Sequence, residues 1–187
     1  MNQPLNGKKV AILVTDDFEQ AELASPKEAL ETAGVTVHIL SDKSGEVQGM
    51  NHDEKADLFV IDGAIEDADP SAYDAVLLPG GVVNADAIRM NQRARAFVQA
   101  MDRSGKPLAV ICHGSWLLIS AGLIKGRTLT AWPSLQDDIR NAGGEWLDQE
   151  VVRDGNWVSS RKPDDLPAFN QAFLELLGSE QTERKAA

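Results

Sequence analysis

The chain has 187 residues, of which 43% are hydrophobic, and its 18 basic and 29 acidic side chains give a formal net charge of −11. This length and composition predict one globular domain over residues 1–187, with loose termini at 1–7 and 179–187. The negative charge disfavours a phosphate backbone as partner, so we expect no nucleic-acid binding, and no apolar run approaches the ~20 residues of a membrane span.

The chain contains a single cysteine, Cys112. One cysteine forms no internal disulfide, which suits a reducing compartment, and it excludes a multi-cysteine zinc site. The polar stretch 1–9 lacks the apolar core of a signal peptide. We therefore expect a cytoplasmic protein with no metal site.

Strands and helices alternate in the first half of the chain. The apolar run 8–14 predicts a buried strand, 19–33 a helix interrupted near Pro26, and 35–40 a second strand. Such a βαβ unit makes the two strands parallel, with a right-handed crossover. The later segments predict two short strands over 46–50 and 57–61 and a third strand over 75–78. One long helix is predicted from Asn84 or Asp86 to about Arg103.

The alternation continues in the second half. The patterns predict a strand from residue 108 and a helix closed by Gly122. They then predict a strand over 127–131, a helix over 135–142, a hairpin over 151–160 and a last helix within 163–177. This order indicates a doubly wound, flavodoxin-like α/β fold: a three-layer sandwich around a mostly parallel central sheet.

Cys112 stands where a buried strand turns into a helix, and His113 and Gly114 follow it directly. Backbone N–H groups at the start of a helix stabilise an anion, so a thiol at such a turn is expected to have a lowered pKa. The thiolate is the reactive form of cysteine. We therefore take Cys112 as the candidate nucleophile; the alternative is a small, buried, inert side chain.

Three loops at the carboxyl edge of the predicted sheet carry the other candidate site residues. The first contains Glu19, whose carboxyl is expected to hold the sulfur by a hydrogen bond if burial raises its pKa. The second ends in Gly81, and the third carries His113. The backbone N–H groups of Gly81 and His113 are expected to form an oxyanion hole, and the His113 imidazole to act as general base or acid.

These segments resemble the ThiJ/PfpI superfamily, whose fold is shared with class I glutamine amidotransferase domains. Residues 109–114 are similar to its nucleophile elbow, and 77–81 to its oxyanion-hole turn. Residues 15–23 are similar to the loop that supplies its glutamate, which falls on Glu19. Matches to the PfpI-like branch lie in 144–146, 154–157 and 159–167, and the resemblance runs from about Lys8 to Leu177 in one register.

The resemblance implies a cysteine hydrolase-like, stress-linked enzyme that needs no cofactor and acts on the carbonyl centre of a small molecule, peptide or protein. Relatives are described as intracellular proteases or amidases, as deglycases of glyoxal adducts, or as glyoxalases. In protease-like members a third catalytic residue, a glutamate, comes from a neighbouring subunit. The matching position is Asp86, one methylene shorter, so we expect a homodimer or a higher homo-oligomer.

The sequence also allows two other functions. Asp16 and Asp17, with Asp62 as acceptor, resemble the acidic group of a phosphoryl-receiver domain, although Lys106 precedes its strand instead of ending it. A redox sensor or chaperone without enzymatic activity would instead use reversible oxidation of Cys112. His113 and the glycine pair before residue 82 favour chemistry on a carbonyl.

Overall fold

A computed structural model of the protein describes residues 5–186 and their side chains up to Ser179. Its centre is a seven-stranded sheet with the order β11-β12-β8-β7-β1-β3-β6. All neighbouring strands in this sheet are parallel except β11 and β12, which form an antiparallel hairpin at one edge. The predicted α/β fold with a mostly parallel central sheet is confirmed.

The strands of the central sheet are β1 (Lys9–Leu13), β3 (Thr36–Ser41), β6 (Gly63–Ala64), β7 (Ala75–Leu78), β8 (Leu108–Ile111), β11 (Val151–Asp154) and β12 (Trp157–Ser160). Two smaller sheets flank it. One consists of β2 (Phe18–Glu19), β4 (Glu46–Asn51) and β5 (Glu54–Val60), and the other of β9 (Thr128–Leu129) and β10 (Glu145–Trp146). The two short strands predicted over 46–50 and 57–61 are present as β4 and β5, which form an antiparallel hairpin outside the central sheet.

The described residues form six α-helices around the sheets: α1 (Gln20–Thr32), α2 (Val82–Ile88), α3 (Gln92–Arg103), α4 (Ser115–Ser120), α5 (Gln136–Asn141) and α6 (Leu166–Ala186). Each face of the central sheet is covered by its own apolar cluster. The residues of β7 and β8 are buried throughout, as expected for parallel strands with helices on both faces. This burial fixes the loops that follow the two strands, and those loops build the site.

Three sequence expectations need correction. The long helix predicted up to Arg103 is two helices, because the Asn91 side chain accepts hydrogen bonds from the N–H groups of Arg93 and Ala94 and so starts α3 afresh. The strand predicted over 127–131 is only the two residues of β9. In contrast, α1 runs without a break through Pro26, which lies in its second turn.

The prediction of loose termini at 1–7 and 179–187 is wrong at Leu5, which is buried and donates its N–H to the carbonyl of Ala33 at 3.1 Å. The backbone of α6 is helical up to Ala186, and the loose tail from residue 179 stays a prediction. Residues 1–4 and 187 lie outside the described part of the chain. None of the helices in the described part of the chain has the length and apolar composition of a membrane span.

Candidate active site

Cys112 stands at a sharp turn between β8 and α4. Its φ of 58° lies in the left-handed region, which costs a residue with a Cβ atom free energy and marks a conformation imposed by its surroundings. A 3₁₀ turn over Cys112–Gly114 follows the strand directly. The turn brings the Cys112 sulfur to 3.2 Å from Nδ1 of His113, so these sequence neighbours meet in one site.

The loop after β7 packs against this turn through two glycines. A Cβ atom on Gly80 would lie 2.7 Å from the Cβ of Cys112 and 2.9 Å from the backbone nitrogen of His113. Gly81 has a φ of 80°, a conformation that favours glycine. The backbone N–H groups of Gly81 and His113 both donate to the sulfur and lower the pKa of Cys112. The two donors expected to form an oxyanion hole therefore converge on the candidate nucleophile.

The carboxyl beside the sulfur belongs to Glu22, and the expectation for Glu19 is wrong in its geometry. Glu22 is fully buried, and its Oε2 accepts a hydrogen bond of 2.7 Å from the backbone N–H of Gly80. Its Oε1 is buried without a hydrogen-bond partner of standard geometry among the described residues, and its side chain interacts with the Cys112 thiol. Burial, opposed by these hydrogen bonds, raises the pKa of Glu22 to about 8.

Burial also raises the pKa of the Cys112 thiol, and the negative charge of Glu22 raises it further. This direction is opposite to the lowering expected from the turn alone. Cys112 is only 6% exposed, and the helix that follows has six residues, so desolvation outweighs the backbone donors. When Glu22 is protonated, it no longer repels the negative charge of the thiolate, and it donates a hydrogen bond to the sulfur. Formation of the Cys112 thiolate is therefore coupled to the protonation of Glu22.

Glu22 carried a signal in the sequence that was missed. It lies one helical turn after Glu19, and with Pro26 and Leu30 it forms the buried stripe of α1 at spacings of four residues. A carboxyl on the apolar stripe of a helix is costly unless it has a function or a partner. The spacing within α1 therefore favoured Glu22 over Glu19 as the buried carboxyl.

Glu19 instead faces the loop between β4 and β5. Its Oε2 accepts a 3.2 Å hydrogen bond from the backbone N–H of His52 and lies 3.6 Å from Nδ1 of the same residue. His52 has a φ of 59°, so this loop also holds a non-glycine residue in the left-handed region. Glu19 remains in the site as a residue that lines the cavity above Cys112.

Asp86 lies on α2 and is exposed. Because α2 begins at Val82, Asp86 is in its second turn and does not cap the helix. Within the described part of this single chain, Asp86 makes no hydrogen bond or ion pair, and it is not among the residues that line the cavity. The site within one subunit therefore lacks the carboxylate that was expected to orient His113.

A cavity of about 430 Å³ opens above the sulfur. Its walls come from the loop after β1, the β4–β5 loop, the start of α2, Trp132 and Pro163, and its floor is Cys112 and His113. The ring of His113 stacks on Trp132, with centroids 5.9 Å apart, and meets Trp116 edge-on at 5.1 Å. Among the described residues of one subunit, the imidazole contacts these two rings and the Cys112 sulfur, and no carboxylate bonds to it.

The receiver alternative does not fit this arrangement. Asp16 accepts hydrogen bonds from Lys43 and from the backbone of Gln48. Asp62 accepts from the backbone N–H of Ile39 at 2.8 Å. Lys106 donates to the carbonyl oxygen of Pro70 at 3.0 Å, before the start of β8 and thus at the opposite edge of the sheet. These residues therefore serve structural roles.

Comparisons of the sequence and of the structure with known proteins point to the same family. The sequence profile of the DJ-1/PfpI family matches residues 8–176. Over 169 residues the chain is 44% identical to a deglycase of Thermococcus kodakarensis, covering 90% of this chain and 99% of that protein. It is also 44% identical over 174 residues to protein/nucleic acid deglycase 2 of Escherichia coli, with 92% and 99% covered. A crystal structure of a two-domain protein from Anabaena variabilis, with DJ-1/ThiJ/PfpI-like and ferritin-like domains, superposes with a TM-score of 0.85 at 36% identity, covering 91% of this chain and 48% of that one.

Proposed function

The chain belongs to the DJ-1/PfpI family, and we propose that it is a cysteine-dependent deglycase that removes glyoxal-type adducts through the Cys112 thiolate. The observation that supports this most is the convergence of donors on one sulfur: the backbone N–H groups of Gly81 and His113, with the Glu22 carboxyl and the His113 imidazole beside them. The names of the Thermococcus and Escherichia relatives support the reaction class.

The first chemical step is addition of sulfur to a carbonyl carbon. The thiolate forms the C–S bond, and the π electrons of the carbonyl move to its oxygen. That oxyanion accepts hydrogen bonds from the N–H groups of Gly81 and His113, which stabilise the charge as it develops. Burial lowers the pKa of His113, so its imidazole is neutral and accepts the thiol proton across 3.2 Å as the C–S bond forms. When the bond between the adduct carbon and its nitrogen or sulfur later breaks, the imidazolium returns this proton to the leaving atom.

A substrate panel on purified protein tests this function. We expect the wild-type protein to remove a methylglyoxal adduct of an amine or thiol faster than buffer, and Cys112→Ala to act at the buffer rate. A loss of at least about 10³-fold is typical when a nucleophile is removed. The panel includes free methylglyoxal and a peptide amide, and spontaneous reversal of each adduct is measured in parallel. Cleavage of the amide alone would identify a protease and contradict the proposal.

The second part of the proposal concerns assembly. We infer that the protein is at least a homodimer, in which Asp86 of one subunit orients His113 of its neighbour. The exposure of Asp86 and its lack of a capping role support this inference, since a Cys–His pair ordinarily uses a third group to orient the imidazole. A cytoplasmic location suits the free thiol of Cys112 and is part of the same proposal.

Mixing two inactive variants tests the shared site. We expect Asp86→Ala and Cys112→Ala to be inactive separately and to regain about a quarter of wild-type activity after joint dissociation and reassembly. Half of the dimers are then mixed, and each of these has one intact site of two. Light scattering establishes the oligomeric state of each preparation. A monomeric protein, or a fully active Asp86→Ala variant, would rule out the shared site.

A further inference from the structure

Glu19 has no contact with the sulfur, yet it faces the same cavity. We propose that Glu19 is a specificity-determining residue that selects positively charged substrates: it binds the ammonium or guanidinium arm of an adduct whose carbonyl carbon faces Cys112. This inference rests on the proposed function for the identity of the substrate, but the preference for positive charge concerns access to the sulfur and can be measured without any enzymatic activity.

The Glu19 carboxylate is held in a fixed position. Its backbone belongs to β2, where Phe18 and Glu19 pair in parallel with Gly49 and Met50 of β4. Its Oε2 accepts the backbone N–H of His52 at 3.2 Å, and its side chain is 14% exposed. A carboxylate held by strand pairing and a backbone hydrogen bond loses little conformational entropy when it binds a cation.

The charges around the cavity have one sign. Asp17, Glu19 and Asp53 line it together with the buried Glu22. None of the lining residues, all of which lie in the described part of the chain, is a lysine or an arginine; the only basic groups there are the imidazoles of His52 and His113. A cleft lined by carboxylates concentrates cations and repels anions. A phosphate-bearing adduct is therefore expected to enter less readily than an amine-bearing one.

The reacting end of the substrate is marked by separate observations. Cys112 forms the floor of the cavity, and the Oε1 atom of Glu22, a cavity-lining residue, is buried without a standard hydrogen-bond partner among the described residues. Glu19 and Cys112 line the same cavity, so a single ligand bound in it can contact both the carboxylate and the sulfur.

The walls between these two ends are apolar. Trp132 is 38% exposed, and Val82 and Val83 are more than half exposed, although all three line the cavity. An alkyl chain that ends in a cation packs on such surfaces while its charged end reaches a carboxylate. The combination of an apolar wall and an anionic rim fits the side chain of a lysine or arginine, or a small amine, that carries a carbonyl adduct.

Three thiol reagents that differ in charge test the preference directly. The probes are 2-aminoethyl, methyl and 2-sulfonatoethyl methanethiosulfonate, which are cationic, neutral and anionic; each forms a mixed disulfide with Cys112 and releases methanesulfinate. We expect the wild-type protein to react fastest with the cation after normalisation to a small free thiol. Because all three rates depend on the same thiolate, the ratio of cation to anion rates cancels the effect of the thiol pKa.

Glu19→Gln retains an oxygen that can accept the His52 N–H but removes the charge, so we expect the cation-to-anion ratio to fall by about tenfold. Glu19→Lys is expected to invert the ratio. The matched control is Glu46→Gln, which removes a carboxylate from an exposed position on β4 that does not line the cavity; its ratio should equal that of the wild type. Melting temperatures verify that each variant is folded.

The outcomes separate this inference from the proposed function. In the first outcome, Glu19→Gln lowers the reagent ratio and also raises KM for an arginine adduct more than for a neutral thiol adduct, with kcat retained. In that case the charge selection by Glu19 and the deglycase proposal are both supported. If the ratio falls but no adduct is removed, the charge selection stands and the deglycase proposal fails. An unchanged ratio in both Glu19 variants, or the same change in Glu46→Gln, would overturn the role of Glu19.

Discussion

Glu22→Gln is expected to make the free energy of unfolding less dependent on pH than it is in the wild-type protein. The carboxyl has a folded pKa of about 8, whereas its ordinary value is 4.5. Between these values the folded protein binds the proton more tightly than the unfolded chain does, so stability falls as pH rises through this range and then levels off. The difference between the two pKa values corresponds to about 5 kcal/mol.

The amide of glutamine imitates the protonated carboxyl. Its oxygen can accept the N–H of Gly80, its NH₂ group can donate toward the sulfur, and it does not ionise. Urea unfolding at pH 5, 7 and 9 measures the effect. We expect the stability of Glu22→Gln relative to the wild type to increase across this range, and other titrating groups cancel in the difference. A constant difference would mean that Glu22 does not retain its proton in the folded state.

The same variant simplifies the chemistry of the thiol. In the wild-type protein Cys112 and Glu22 lose two protons as a coupled pair, so the iodoacetamide rate should rise with pH in two steps. In Glu22→Gln only the thiol titrates, and one step remains. Glu22→Leu lacks both the donor to the sulfur and the acceptor for Gly80, and it should show a single step at higher pH with weaker reactivity at neutral pH. Identical profiles in all three proteins would exclude coupling between the two groups.

Gly80→Ala is expected to disrupt the site by packing alone. The added Cβ would lie 2.7 Å from the Cβ of Cys112 and 2.7 Å from Oε2 of Glu22. Both distances are shorter than the contacts that Cβ atoms make in folded proteins. Overpacking of this kind costs roughly 1–3 kcal/mol of stability. Because the displaced groups are the nucleophile and its neighbour, we expect kcat/KM to fall by about 10²-fold or more.

Gly178→Ala is the matched control for this substitution. Gly178 lies in α6, and a Cβ there would meet only a methyl group of Leu5 at the ordinary distance of 3.7 Å. We expect full activity and a gain of up to about 1 kcal/mol, because alanine has the higher helix propensity. Thermal unfolding and the adduct assay measure both variants. Wild-type activity in Gly80→Ala would show that the loop after β7 has room to move and is not set by contact with Cys112.

The sequence by itself determined the α/β alternation, the strand–turn–helix around Cys112 and the glycine pair after β7. These features depend on interactions between residues close together in the chain. Apolar periodicity separates strand from helix, and a turn into a helix requires particular residues at particular places. For the same reason the β4–β5 hairpin was predictable, because its strands are neighbours in sequence. The placement of this hairpin outside the central sheet could not be predicted from the sequence.

The tertiary structure decided which carboxyl meets the sulfur. Glu19 and Glu22 are one helical turn apart, and the choice between them depends on how α1 packs against the loop after β7, where Gly80 donates to Glu22. It also decided the direction of the Cys112 pKa shift, since desolvation depends on every element that covers the sulfur. Local periodicity favours Glu22 as the buried carboxyl of α1, but its contact with the sulfur and the desolvation of the thiol arise from contacts between distant parts of the chain.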